Sequence, residues 1–218
     1  ANKSEQWILK NQNKIFSVIA LISLSVLSYL GYQRFIAEPK ETEAISELNQ
    51  AQYFFELALV SNESDSLFKL ALNGGEGKYG FLDIVDEYSG TKAANLANYS
   101  IGMSYLNLKE YDKAIVYLEK FNSDDILLKS ISLGTIGDCF SELNQPKEAF
   151  EYYKKAFKHN ENIYTTPKYL FKAALLGSEL GEYRSALNYL NRIKEEFPDS
   201  YEFSLVEVQI GRIENLNN

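Results

Sequence analysis

The apolar and polar positions in the second half of the chain repeat about every 35 residues. Gly102, Tyr105, Leu108, Tyr111, Ala114 and Leu118 recur 35 positions later as Gly137, Phe140, Leu143, Pro146, Ala149 and Tyr153. They recur 37 positions beyond those as Ala174, Gly177, Leu180, Tyr183, Ala186 and Leu190. The spacing is helical, and small residues hold two of the shared positions. A period of 34 or slightly more with this pattern predicts stacked helical hairpins, because one hairpin alone cannot bury its apolar face. Gly102 and Gly137, with Ala114, Ala149 and Ala186 on the other side, let the two helices of a hairpin approach closely. Tyr105, Tyr111, Phe140 and Tyr183 are expected to fill the space between hairpins. Three repeats are predicted over 93–200, in units near 95–128, 130–164 and 167–200, and a helix over 201–218 is expected to cap the open end.

The N-terminal pattern is of another kind. Ile15 to Gln33 is a run of 19 uncharged residues, bracketed by Lys14 and Arg34. At 1.5 Å per residue it spans roughly 28 Å, close to the ~30 Å hydrocarbon core of a bilayer. Tyr29, Tyr32 and Phe35 stand where an interfacial aromatic belt belongs. A cleaved signal peptide and a buried core helix are the alternatives, but Val26-Leu27-Ser28 makes a poor cleavage site. The segment therefore predicts a transmembrane helix over 15–33, behind a polar tail over 1–14 that holds Trp7. The Lys/Arg bias across the segment favours a cytoplasmic tail and an exported domain.

Between these regions, 34–92 predicts N-terminal helices. Pro39 suits the first turn of a new helix, and Ala44, Ile45, Leu48, Ala51, Phe54 and Phe55 make one apolar face from Glu41 to Val60. A break at 61–64, a short helix over 65–72, a glycine-rich loop over 73–80 and a helix over 81–88 follow. Asp86-Glu87-Tyr88-Ser89-Gly90-Thr91 is echoed by Glu195-Glu196-Phe197-Pro198-Asp199-Ser200, so the residues before Ser89 read as a degenerate second helix of a repeat. The whole is an all-α chain: one N-terminal membrane helix, then a hairpin solenoid.

Charge and chemistry narrow the function. The chain is −8 overall, with residues 1–40 at +3 and the remainder at −11. An acidic domain is a poor partner for nucleic acid or anionic headgroups. Cys139 is the single cysteine, so no intrachain disulfide is available, and His159 is the single histidine, read as a helix-end residue. Gly77-Lys78 lacks the upstream glycine and the following Ser/Thr of a phosphate-binding loop, since Leu72 and Tyr79 stand there. No cofactor, metal or catalytic residue is expected. Asp138 and Glu142, four apart on one helix, are the best acid pair for an enzymatic alternative. Of two Asn-x-Ser sequons, Asn62 lies in a break and Asn98 inside a predicted helix.

The repeat pattern resembles tetratricopeptide repeats over roughly 80–200, carried by Ile101-Gly102-Met103-Ser104-Tyr105, Tyr111-Asp112-Lys113-Ala114 and Gly181-Glu182-Tyr183-Arg184-Ser185-Ala186. It departs from the pattern at Ile126, which stands in place of the closing proline, at Pro146, where an aromatic is usual, and at Ala174 and Gly177. The layout, with Trp7-Ile8-Leu9-Lys10-Asn11, one anchor, Tyr32-Gln33-Arg34-Phe35 and a small exported repeat domain, is similar to the YfgM-like family. The stretches Leu70-Ala71-Leu72-Asn73-Gly74 and Gly80-Phe81-Leu82-Asp83-Ile84 give it a Bacteroidota-type look. That resemblance implies an ancillary subunit of the SecYEG translocon in the bacterial inner membrane, with a periplasmic repeat domain. The partners it implies are the translocon, a membrane-anchored prolyl-isomerase chaperone of the PpiD type and exported proteins. By repeat position, the first helices of the hairpins should line a binding groove with Tyr99, Met103, Asn107, Asp138, Glu142, Phe171, Leu175 and Glu179. The alternative is a scaffold in another envelope assembly, for secretion, division or outer-membrane biogenesis; no cysteine follows the apolar run, which disfavours a lipoprotein.

Overall fold

The computed structural model describes residues 2–75 and 77–216. Ala1 of the tail, Glu76 of the glycine-rich loop and residues 217–218 of the expected cap lie outside the described residues. Among the described residues the chain is helical throughout, with one isolated bridge, Gly75 to Lys78, and no strand.

Helix α1 (Lys3–Tyr32) runs from the tail through the whole uncharged segment. A π-helical turn, Gln33–Ala37, joins it to α2 (Glu38–Val60). Pro39 lies in the first turn of α2 as its position suggests, but α2 continues the preceding helix instead of starting afresh. Ser4–Val60 is one uninterrupted helix, and Pro39 falls in the first turn of α2, where π bonding has already displaced the regular ladder. The most apolar stretch has a mean hydropathy of 2.0 and none of it is buried. A helix this long, apolar and uncovered is long enough to cross a membrane, and it is not a core helix.

Beyond it, α2 buries Ala44, Leu48, Ala51, Phe55 and Ala58. Ile45, assigned to this face by spacing, is 48% exposed, and Phe54 is only partly buried. The buried stripe advances by three and four from Ala44, which leaves Ile45 one position outside it. Helices α3 (Ser64–Asn73) and α4 (Phe81–Glu87) both pack on α2 and on α5 (Lys92–Asn107). Phe55, Phe68 and Phe81 form the centre of this unit, with ring centroids 5.7 and 6.1 Å apart.

The hairpins are α5 with α6 (Tyr111–Lys120), α7 (Leu128–Glu142) with α8 (Pro146–Lys158), and α9 (Thr165–Glu179) with α10 (Tyr183–Glu196); α11 (Phe203–Leu216) follows. Each helix packs on the next. The bend inside each hairpin is the same. Lys109, Asn144 and Gly181 take φ of 61°, 56° and 80°. The amide after each donates back to Tyr105, Phe140 and Gly177 at 2.8, 2.8 and 2.7 Å. This six-to-one closure with a left-handed residue satisfies the last carbonyls of the helix.

The turns between hairpins carry a second repeated device. Thr91 Oγ1 accepts from the Ala94 amide, Asp125 from Leu127 and Leu128, Asn162 from Tyr164 and Thr165, and the Ser200 hydroxyl from Phe203. Each caps the free amides of a first helix. Those two backbone bonds hold the Asp125 carboxyl below its ordinary pKa. At α5 the Glu41 carboxylate of α2 accepts from Lys92 and Ala93 at 2.7 and 3.0 Å, locking the long helix to the first repeat.

The small residues act as the spacing implies. A Cβ on Gly102 would collide with Leu118, and one on Gly137 would lie 2.6 Å from the Tyr153 ring. Ala114, Ala149, Ala174 and Ala186 are fully buried. Two hydrophobic clusters result, one from α2 to α7 and one from α8 to α11, with Phe140 touching both.

Candidate protein-binding groove

The eight residues assigned to a groove lie on α5, α7 and α9, and none is fully buried. They fall in three register-equivalent columns: Tyr99 and Phe171, Met103, Asp138 and Leu175, and Asn107, Glu142 and Glu179. Tyr99 leans on Phe121 with centroids 5.2 Å apart, and Met103 packs on the N-terminal cluster. Phe171 packs on the C-terminal cluster. These three are half core and half surface. Asn107, Glu142 and Glu179 are exposed.

Asn107, Asp138 and Glu142 are brought together in one open cleft of about 520 Å³ between the first two repeats and α9. Leu175 and Glu179 are not part of it; they border a separate cavity against Gln209, Arg212 and Leu216 of α11. These five groove residues therefore line two separate cavities, one centred on α7 and one between α9 and α11.

Asp138 is the hub of the first cleft. Its carboxylate accepts from the Tyr153 hydroxyl at 2.7 Å and pairs with the Lys172 ammonium from α9, both groups about one-third exposed. Lys172 also lies 5.5 Å from the centroid of the Tyr153 ring. Burial, and then the Asp138 charge, push the Tyr153 phenol far above its ordinary pKa, so it remains a donor at any physiological pH. Glu142 accepts instead from Tyr111 of the first repeat at 3.3 Å. The two carboxylates of the possible acid pair are thus each engaged by a different partner.

Behind the hub sits Tyr169, 1% exposed and stacked on Tyr153 at 6.3 Å. The column of Tyr99 and Phe171 has Gly134 at its middle, and a Cβ on Gly134 would collide with the edge of the Tyr169 ring. Burial pushes the Tyr169 phenol well above its ordinary value. Sequence reasoning missed Lys172, Tyr153, Tyr111 and the Gly134–Tyr169 contact. The available signal was Gly134 itself, a missing ring between two aromatic positions.

Cys139, next to the hub, is fully buried, and burial raises its thiol to about 12. His159 bonds only to the neighbouring Asn160. Asn98 is buried, with its amide donating to Ala94, so its sequon is closed to modification in the folded chain, while Asn62 is exposed. Among the described residues no group of three or more His, Cys, Asp or Glu could hold a metal ion.

The tetratricopeptide-repeat family matches residues 97–123 and 131–162, and a second description of the same repeat matches 168–200. The chain carries tetratricopeptide repeats. Their hairpins are α5–α6, α7–α8 and α9–α10, and such repeats typically serve as non-catalytic protein-interaction scaffolds. Among solved structures, the chain is similar to YrrB, described as a tetratricopeptide-repeat protein with an unusual peptide-binding site. The two are 21% identical, with 84% of each chain covered and a TM-score of 0.54. It is also similar to PilW, a widely conserved type IV pilus biogenesis factor, at 16% identity, 94% and 99% coverage and a TM-score of 0.46. No curated protein matches the chain.

Proposed function

We propose that the chain is a membrane-anchored module that captures a segment of a protein partner in the groove along α5, α7 and α9. The observation that carries this reading is the open cleft at Asp138, lined by the polar side chains of Asn107, Glu142 and Lys172 beside Tyr111 and Tyr153. A partner side chain bearing a cation would compete with Lys172 for Asp138, and a backbone segment can bond to the polar side chains that line the cleft. The anchor, α1, holds that groove at a membrane and raises its effective concentration beside membrane machinery.

The finer reading is an ancillary subunit of the Sec translocon, with the repeats in the periplasm, acting beside a membrane-anchored prolyl isomerase. The similarity of layout to the YfgM-like family supports it. Truncating Tyr99, Met103 and Phe171 would test folding as much as binding, because all three pack on the core. Asn107, Glu142 and Glu179 are exposed, and their replacement leaves the core intact. Two variants are therefore compared for co-purification with the translocon: Asn107→Arg/Glu142→Lys/Glu179→Lys, and a chain whose 15–33 segment is an unrelated apolar helix. Each is expected to weaken recovery, and together they abolish it. Recovery equal to the parent chain in both variants excludes either the translocon or this surface.

A further inference from the structure

The first helix of every repeat begins at a capping residue, and the side chain that follows the cap is turned outward. These positions are Lys92 after Thr91, Ile126 after Asp125, Ile163 after Asn162, and Tyr201 after Ser200. Ile126, Ile163 and Tyr201 are 52%, 69% and 77% exposed. Single exposed apolar residues are ordinary on any surface, but the same register position filled three times by a large apolar side chain forms a row.

All four turns lie on the edge of the solenoid from which the first helices rise, because the helices alternate in direction. The anchor fixes which way that edge faces. Lys40 donates to the Ser89 carbonyl and Glu41 holds the start of α5, so the first turn sits beside the beginning of α2. Lys40 is seven residues past the end of the uncharged run, on an unbroken helix, a rise of about 10 Å. The headgroup zone on each side of a hydrocarbon core is itself roughly 5–8 Å deep, which leaves the first turn about 2–5 Å above it, within the reach of a side chain turned outward. The Asn95 side-chain amide donates to the Asn122 carbonyl and accepts from the Asn122 amide, which keeps the second turn level with the first turn of α5. Ile163 and Tyr164 share a cavity with Phe197–Glu202, which joins the third turn to the fourth.

Resting on the reading of α1 as a membrane anchor, we infer that this edge is a second membrane contact. Ile126, Ile163 and Tyr201 enter the interfacial zone of the bilayer, and the repeats lie along the membrane rather than standing away from it. The surface it fits is zwitterionic. Carboxylates at the edge are spent internally, Asp125 on backbone amides and Glu161 and Glu196 on Arg192, and the charges that remain are of both signs.

The test uses the full chain in phosphatidylcholine vesicles, with a fluorophore on single introduced cysteines and a nitroxide on the lipid near the headgroup. Cys139 is fully buried and stays unlabelled. Probes at Ile126→Cys, Ile163→Cys and Tyr201→Cys are expected to lose roughly half their signal or more, since such contacts enter about 5–10 Å. Probes at Lys147→Cys and Arg184→Cys, on the opposite edge, should lose none. A probe at Leu24→Cys, with the nitroxide deep in the acyl chains, reports the anchor alone. Quenching at Leu24 without quenching at the three turns overturns the inference and leaves the anchor standing; protection of those turns from aqueous iodide would then show that a second copy of the chain covers them. No quenching at Leu24 removes the anchor reading, and the inference falls with it.

Discussion

In the first two repeats a ring from the first helix faces a ring from the second: Tyr105 with Tyr117 at 5.8 Å, and Phe140 with Tyr152 at 5.3 Å. In the third repeat the first position of that pair is Gly177, and only Tyr189 remains. Tyr189 turns instead to Phe157 and Phe150 of the preceding hairpin, at 5.1 and 6.4 Å. Phe150 approaches the space a Gly177 side chain would need, to 3.1 Å from a built Cβ. The register-equivalent of Phe150 in the first repeat is Ile115, one ring smaller. The stack therefore conserves filled volume at each junction rather than the identity of the residue that fills it. At Gly134 the same trade runs the other way, with Tyr169 of the next repeat supplying the ring.

The largest test of this comparison removes that borrowed ring. Tyr169→Ala should cost about 3–5 kcal/mol, measured by denaturant unfolding, because the side chain is wholly buried among three helices. Gly134→Phe in the same chain should recover part of the loss; the single Gly134→Phe change should fail to fold stably. Additive losses would show that the two positions do not share one space.

Alkaline unfolding localises the difference next. Cys139, Tyr153 and Tyr169 gather at the junction of the second and third repeats, all held neutral by burial. Their folded values lie above the ordinary 9.0 and 10.0, so the unfolded chain releases these protons first. Stability is then level below about pH 9 and falls as pH rises toward 12, by at most roughly 1.4 kcal/mol per pH unit for each group. Tyr153→Phe should shallow that fall in a pH series of thermal melts. An unchanged slope would place the titration elsewhere.

Gly177→Phe restores the ring found in the other repeats, and it should cost about 1–3 kcal/mol by overpacking against Phe150. Adding Phe150→Ile, the residue type of the first repeat, should return most of it. The smallest effect is at the hairpin bends. Lys109 holds a left-handed conformation that Gly181 adopts freely in the third repeat, so Lys109→Gly should stabilise by about 0.5 kcal/mol in the same unfolding assay.

Much of this was legible in the residues. The 35-residue spacing places every hairpin, since the buried Gly and Ala positions recur with it, and the uncharged run is one exposed helix. The continuation through Pro39 was not legible, because a proline in the first turn of a fresh helix and a proline just after a π-helical turn give the same local sequence. The cleft was half legible. Register places Asp138, Glu142 and Asn107 on one face, and Lys172 stands one repeat on from Asp138, but spacing alone does not say that Lys172 and Tyr153 turn their side chains to the same carboxylate. That Leu175 and Glu179 face α11 depends on where the last helix docks, a tertiary contact that the repeat spacing does not specify.

The unbroken helix from the tail to Val60 has a mechanical meaning. At 57 residues it is a rod about 85 Å long, and its outer part is fastened to the repeats through Glu41 and Lys40. No loose linker lies between the apolar segment and the repeats to absorb a turn about the rod's own axis. A neighbour that rolls the segment therefore sweeps the whole solenoid through the same angle, and displacement grows with distance from the shaft. The far end, near α11, travels farthest, as the rim of a wheel does when its axle turns.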